Sequence, residues 1–283
     1  MKLAIITDNS AANAEKLAVV EDVFVLDIPV IIENQSYIEG KNLSIDAFYQ
    51  KMSASDELPK TSQPSLAELN DLLERLTNEG YTHVIGVFIA AGISGFWQNI
   101  QFLKDEFKEL TIAFPDTRIT SKPQTSMVEN VVKWYQEGLS FDHILEKLNK
   151  QIELTTAFIM VDDLNHLVKG GRLSNGAALL GNLLSIKPIL RFNEEGKIVV
   201  YEKVRTEKKA IKRLISILEE ETADHAYQVS IIHSRAEEKA LDLKEKLENA
   251  GYQGEIEIVT FGAVIATHLG EGAVAFGITP VID

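Results

Sequence analysis

Short apolar runs alternate with amphipathic ones along most of this chain, and that alternation restricts the fold more than any single motif does. Leu3 to Thr7 is near-continuous apolar sequence, as expected of a parallel strand covered on both faces. His83 to Ala91 reads the same way and runs straight into Gly92-Ile93-Ser94-Gly95, then into a helix carrying Ile100, Leu103 and Phe107. Val23 to Leu26, Pro29 to Ile32 and Thr111 to Phe114 read as further strands. Between them, helices are expected from Ala11 to Leu17, from Ser44, up to Asn78 with Gly80 as the stop, from about Ser126 to Gln136, and from Phe141 to Gln151. This order predicts an α/β fold whose first part is a Rossmann-like parallel sheet with helices on both faces.

After about Leu154 the pattern changes. Ala157 to Val161 reads as a strand. Ser185 to Arg191 and Lys197 to Val204 read as a strand pair joined through the turn Asn193-Glu194-Glu195-Gly196. A helix from Glu207 to Glu221, a strand from Gln228 to His233, a helix from Ala236 to Ala250 and a strand from Glu255 to Thr260 follow. A hairpin followed by alternating helices predicts a mixed or antiparallel sheet with helices on one face. A boundary near residue 155 divides the chain into a Rossmann-like domain, 1–155, and a second α/β domain, 156–283.

Composition narrows the function classes. The 283 residues carry 28 basic and 42 acidic side chains, a formal charge of -14, which disfavours a nucleic-acid backbone as partner. There is no cysteine, hence no disulfide, thiol nucleophile or thiolate metal site. The six histidines, at 83, 143, 166, 225, 233 and 268, show no close pair at ligand spacing, so no metal centre is expected. No apolar run is long enough to span a bilayer, and Asp8 interrupts the first strand too early for a signal-peptide core. A soluble, cytoplasmic protein is expected.

Three loops carry candidate chemistry. Pro59-Lys60-Thr61-Ser62-Gln63-Pro64-Ser65 precedes the amphipathic run Leu66, Leu69, Leu72, Leu73, Leu76. The helix there starts at Pro64 or is capped by Ser65 with Glu68, and either start puts Thr61 and Ser62 where free amides and the positive helix end could help hold an anion. The plainer reading of both is a helix cap. Ser94 has the same two readings at the carboxyl end of its strand, and lacks the full Gly-x-Ser-x-Gly spacing of a nucleophile elbow. Asp8 is either a site residue or the cap of the helix after it.

The motifs in order are Thr7-Asp8-Asn9-Ser10, Lys60-Thr61-Ser62-Gln63-Pro64-Ser65, Ile93-Ser94-Gly95, Asp162-Asp163-Leu164, Gly170-Gly171-Arg172-Leu173-Ser174, Lys187-Pro188-Ile189-Leu190, Lys203-Val204-Arg205 and His268-Leu269-Gly270. Each is weak alone; the ordered set resembles the DegV family, which includes the fatty-acid-binding subunits (FakB) of the bacterial fatty acid kinase system. The resemblance implies a two-domain binding protein that holds one long-chain fatty acid. The acid's carboxylate sits near the domain junction and its tail in an apolar tunnel. A separate ATP-dependent kinase subunit phosphorylates the carboxylate, and the acyl phosphate is delivered to an acyltransferase of phospholipid synthesis. It implies no cofactor and no catalytic residue in the carrier. Thr61, Ser62, Ser94 and His268 match the carboxylate-binding positions. Arg172 and Arg205 match basic positions of the head-group network or of kinase docking. The family's usual Ser-Gly-Thr-Tyr is Ser94-Gly95-Phe96-Trp97 here, its Gly-Pro-Gly after the histidine is Gly270-Glu271-Gly272, and Ser121-Lys122-Pro123-Gln124-Thr125 lacks glycines common there. These departures bear on the tunnel more than on the head group.

The chemistry agrees with a carboxylate and a tail. Hydroxyls and a histidine can supply directed donors without a full buried ion pair. Burying a long chain at about 0.8 kcal/mol per methylene gains on the order of 10 kcal/mol before ordering costs. The run Lys203, Arg205, Lys208, Lys209, Lys212, Arg213 is a basic island, read either as a solvated helix face or as a docking surface for a kinase, an acyltransferase or an anionic membrane. Two rival readings are a hydrolase with Ser94 as nucleophile and His268 as base, and a small-carbonyl binder like the substrate subunit of dihydroxyacetone kinases.

Overall fold

The computed structural model describes residues 1–174, 187–223 and 226–282. Its first sheet is parallel throughout. β1 (Leu3–Asp8) lies between β2 (Val23–Leu26) and β6 (His83–Val87), and β7 (Thr111–Ala113) pairs with the far side of β6. All six residues of β1 are buried, because alternate side chains feed two different cores. Ala4 and Ile6 pack with Leu69, Leu72, Leu73 and Leu76 of α3 (Leu66–Asn78). Leu3 and Ile5 pack on the opposite face, with Met127, Val128 and Trp134 of α6 (Ser121–Gln136) and Ile144 and Leu148 of α7 (Phe141–Leu154).

The second sheet is mixed, in the order β10-β9-β8-β13-β11-β12. It comprises β8 (Thr156–Met160), β9 (Lys187–Phe192), β10 (Ile198–Val204), β11 (Tyr227–His233), β12 (Ile256–Thr260) and β13 (Val274–Pro280). Only β11 and β12 pair in parallel; the expected β9–β10 hairpin is present. Its own helices α9 (Glu207–Glu221) and α10 (Glu237–Asn249) cover one face, over Phe158, Val229, Ile231 and Phe276. The other face presents Ala157, Ile159, Ile232 and Ala275 to the core that holds α6 and α7. One helical layer therefore serves both sheets.

A third, small antiparallel sheet runs β4-β3-β5, from β3 (Val30–Ile32), β4 (Gln35–Tyr37) and β5 (Lys60–Thr61). Its hairpin turns at Glu33 and Asn34, with φ of 49° and 62°, the left-handed pair that matches strand twist. α2 (Ile45–Ala54), capped by Ser44, connects β4 to β5.

Several boundaries differ from expectation. The helix expected from Ser126 begins at Ser121, because Pro123 falls in its first turn, where a missing N–H costs nothing. The helix expected over 11–17 contracts to α1 (Ala14–Leu17). The strand from His83 stops at Val87, and the run after Ser94 splits into α4 (Phe96–Ile100) and α5 (Leu103–Glu106). β4, β5, β13 and α11 (Ala263–Leu269) are additional to the sequence reading. Residues 185–186 of the strand expected from Ser185 lie outside the described residues, as does the histidine at 225.

Asp8 is fully buried and caps no helix. Its carboxylate accepts hydrogen bonds from Ser10 N and Oγ, from Gln124 Nε2 and, at 2.8 Å, from Ile89 N, so it joins the carboxyl ends of β1 and β6 to α6. Burial raises its pKa against these donors. Among the described residues, no helix is long and apolar enough to cross a membrane.

Candidate functional site

A cavity lies where the carboxyl ends of the first sheet meet the inner face of the second. That location is the usual one for ligands of open α/β sheets. Ile28, Ile89 and Ile93 line it from the first half. Ala157, Ile159, Ile232 and Ala275 form its wall on the second sheet; Ile159, Ala275 and Ile232 stand side by side across β8, β13 and β11. Val264, Ile265 and Leu269 of α11 add a further apolar wall. Phe192 and Ile198 bring in the β9–β10 hairpin, whose turn sits directly on the Ser94 loop. A Cβ on Gly92 would fall 2.3 Å from the carbonyl carbon of Gly196, so this approach requires glycine.

Thr61, Ser62, Ser94, Arg172 and His268 all line this cavity and cluster together. Thr61 is held in β5 by its pairing with Val30 of β3, and the Ser62 amide donates to Pro29 O. Neither residue stands at a helix start, contrary to the sequence reading. Strand pairing carries the chain through Thr61, and α3 begins only at Leu66, where Ser65 Oγ accepts from Glu68 N. Thr61 Oγ1 lies 2.8 Å from His268 Nε2.

His268 sits in the last turn of α11. Burial, then the positive charge of Arg172, then His166, push its pKa down to about 3, so it is neutral at ordinary pH. Gly170 lets the loop after α8 (Asn165–Lys169) close on this ring; a Cβ there would lie 2.7 Å from His268 Nδ1. Arg172 donates from Nη1 to Gly170 O at 2.6 Å and from Nε to Ile93 O at 3.3 Å. Burial lowers its pKa, and among the described residues no carboxylate pairs with it. Arg172 thus brings a guanidinium to the cavity lining, a group whose fork suits a carboxylate or phosphate. Ser94 Oγ accepts from Phe96 N at 3.3 Å, which leaves its O–H to donate.

Thr61, Ser62 and Arg172 also line a surface groove with Lys41, Gln63 and Glu68, so the polar cluster is reached from outside. Arg205 is not part of it: the residue is exposed in the bend between β10 and α9 and lines no described cavity. The basic run around it is a largely exposed helix face, with Arg213 paired to Glu202 and Glu220. Thr120 and Ser121, at the start of α6, line the cavity but were not singled out from the sequence; hydroxyls just before Pro123 are the signal that marks them. Among the described residues no group of side chains could hold a metal ion. His268 Nε2 engages Thr61 rather than Ser94, and no described carboxylate orients its ring, so a Ser–His–acid arrangement is not assembled.

The sequence family described as "Uncharacterised protein, DegV family" matches residues 2–281. A fatty acid binding DegV family protein from Streptococcus agalactiae is 66% identical, with 99% of each chain covered and a TM-score of 0.97. DegV of Bacillus subtilis, described as a fatty acid binding protein, is 32% identical over 99% of this chain and 100% of its own, with a TM-score of 0.88. The Fatty Acid Kinase B3 protein of Streptococcus pneumoniae, loaded with linoleic acid, shares the fold at 23% identity, with both chains covered in full and a TM-score of 0.83.

Proposed function

This chain belongs to the DegV family, and from that premise we propose that it binds one long-chain fatty acid, with the carboxylate among Thr61, Ser62, Ser94, Arg172 and His268 and the tail in the apolar cavity. The observation that carries this reading is one cavity with apolar walls whose lining includes Thr61, Ser62, Ser94, Arg172 and His268, three of which, Thr61, Ser62 and Arg172, also line a surface groove. Neutral donors and a guanidinium that no described carboxylate pairs with suit a carboxylate, and the walls suit a hydrocarbon chain. The protein is a carrier rather than a catalyst. It presents the carboxylate through the groove to a separate ATP-dependent kinase subunit, which makes the acyl phosphate, and then hands the product to an acyltransferase of phospholipid synthesis. It works in the cytoplasm, needs no cofactor, and touches the membrane surface only in passing. The 1–155 part supplies the Thr61 and Ser94 loops, and the 156–283 part closes the acyl site.

The test is native mass spectrometry of the purified chain, followed by extraction of what rides with it. A fatty acid bound one to one is the expected result and also reports chain length and unsaturation. A chain that carries no lipid and takes none up when offered a long-chain fatty acid would overturn the reading.

A further inference from the structure

We propose that Glu39 is a positioning residue for His268, acting through α11, and so sets how firmly the protein holds a carboxylate; this rests on the fatty-acid reading above. Glu39 follows β4 closely, and its Oε2 accepts a hydrogen bond from Ala263 N at 2.6 Å, across 224 positions of sequence. Thr61, on β5 of the same small sheet, meets His268 Nε2 at 2.8 Å. Ala263 is the first residue of α11 and His268 the last but one, so Glu39, just beyond β4, and Thr61, on β5, hold this helix at its two ends.

The grip matters because α11 has only seven residues and its N-cap, Gly262, offers no side chain. A helix that short has few internal bonds to fix its own position, and its first amides need outside acceptors. Among the described residues Glu39 is the side chain that supplies one, and a negative charge there also suits the helix dipole. The fit is close: a Cβ on Gly262 would lie 2.8 Å from Glu39 Oε2. Glu39 itself does not line the cavity, so any effect on the ligand passes through the helix. With the bond to Ala263 lost, α11 can shift along β5, and the imidazole moves off the Thr61 hydroxyl.

The experiment compares the parent chain with Glu39→Ala, Glu39→Gln and Gly262→Ala. Each is titrated with oleic acid and with its methyl ester, by displacement of a fluorescent long-chain fatty acid. The His268 imidazole resonances are recorded in parallel from the delipidated chain. Glu39→Ala is expected to weaken the acid about tenfold, the size of one lost charge-assisted bond, while the ester is held as before and the His268 resonances shift. Glu39→Gln keeps an acceptor for Ala263 N–H and is expected to restore most of the acid's affinity. Gly262→Ala presses on the Glu39 carboxylate and is expected to repeat the acid-specific loss should the Glu39→Ala chain fail to fold. Equal losses for acid and ester, or unmoved His268 resonances in a folded variant, would overturn the proposal. A parent chain that binds neither ligand defeats the fatty-acid reading instead, and the resonances then decide the role of Glu39 alone.

Discussion

Thr61 and His268 stand 207 positions apart in sequence and 2.8 Å apart in space, Oγ1 to Nε2. Thr61→Val keeps the shape and removes the hydroxyl. The expected result is a loss of about tenfold in affinity for a long-chain fatty acid, the scale of one hydrogen bond to a charged group. Calorimetry with the acid and with its methyl ester checks this; the ester should bind the variant and the parent alike. A variant that holds the acid as tightly as the parent would remove Thr61 from the head-group site.

His268 links the site to acid stability. Its folded pKa is depressed to about 3, whereas an imidazole in the unfolded chain takes up its proton near 6.5. Between these values the unfolded state binds the extra proton, so stability falls as the pH drops from about 6.5 towards 3. His268→Gln is expected to make thermal melting less sensitive to pH across that window. His233, also held low by burial, keeps its own contribution in the variant. Identical pH dependence in parent and variant would mean that the ring is not held neutral by the fold.

Arg172 and Arg205 separate by position. Arg172→Gln takes the guanidinium from the cavity lining and is expected to weaken retention of a fatty acid while leaving its methyl ester unaffected. Arg205→Ala, on the exposed bend, is expected to leave lipid binding unchanged and to slow phosphorylation by a kinase subunit. Lipid extraction from both purified variants, with a coupled phosphorylation assay, tests the pair. Loss of lipid from the Arg205→Ala chain would place that residue in the pocket after all.

Asp8→Ala leaves the Ile89 and Ser10 amides without their acceptor in a fully buried position. The expected loss of stability is on the order of 3 kcal/mol, since each orphaned group costs roughly 1–3 kcal/mol. Urea unfolding measures it. The ratio of acid to ester affinity should not change, because Asp8 braces strand ends and does not line the cavity.

Hydrophobic patterning carried the first sheet well, because strands buried on both faces and helices with one leucine face each leave a strong local record. The helix at Glu207–Glu221 and the β9–β10 hairpin are equally local. What escaped was set by distant partners. β5 has two residues and is a strand only because Val30 and Ile31 lie opposite it. β13 is buried along its whole length like β1, but it follows a glycine loop, is interrupted by Gly277 and ends in Pro280, so its apolar run is too broken to mark a strand. The ordered motifs named Thr61, Ser62, Ser94, Arg172 and His268 in the cavity lining, but not Thr120, Ser121 or the apolar walls, and not the contact between Thr61 and His268, which depends on how β5 and α11 pack. Arg205 shows the converse: a motif position that the fold leaves at the surface, away from the cavity.

The place of β13 has a consequence for biosynthesis. It lies between β8 and β11, antiparallel to both, yet it is made after every other strand of its sheet. The parallel sheet has all its strands once β7 is made and its second cover once α6 and α7 follow. The strands on either side of β13 must wait, with open hydrogen-bonding edges and a bare apolar face, until Val274 to Pro280 arrive. Ala275, which lines the cavity, comes with that strand. A chain cut before Val274 lacks the strand that stands between Ile159 and Ile232, so its cavity is open on the side of the second sheet.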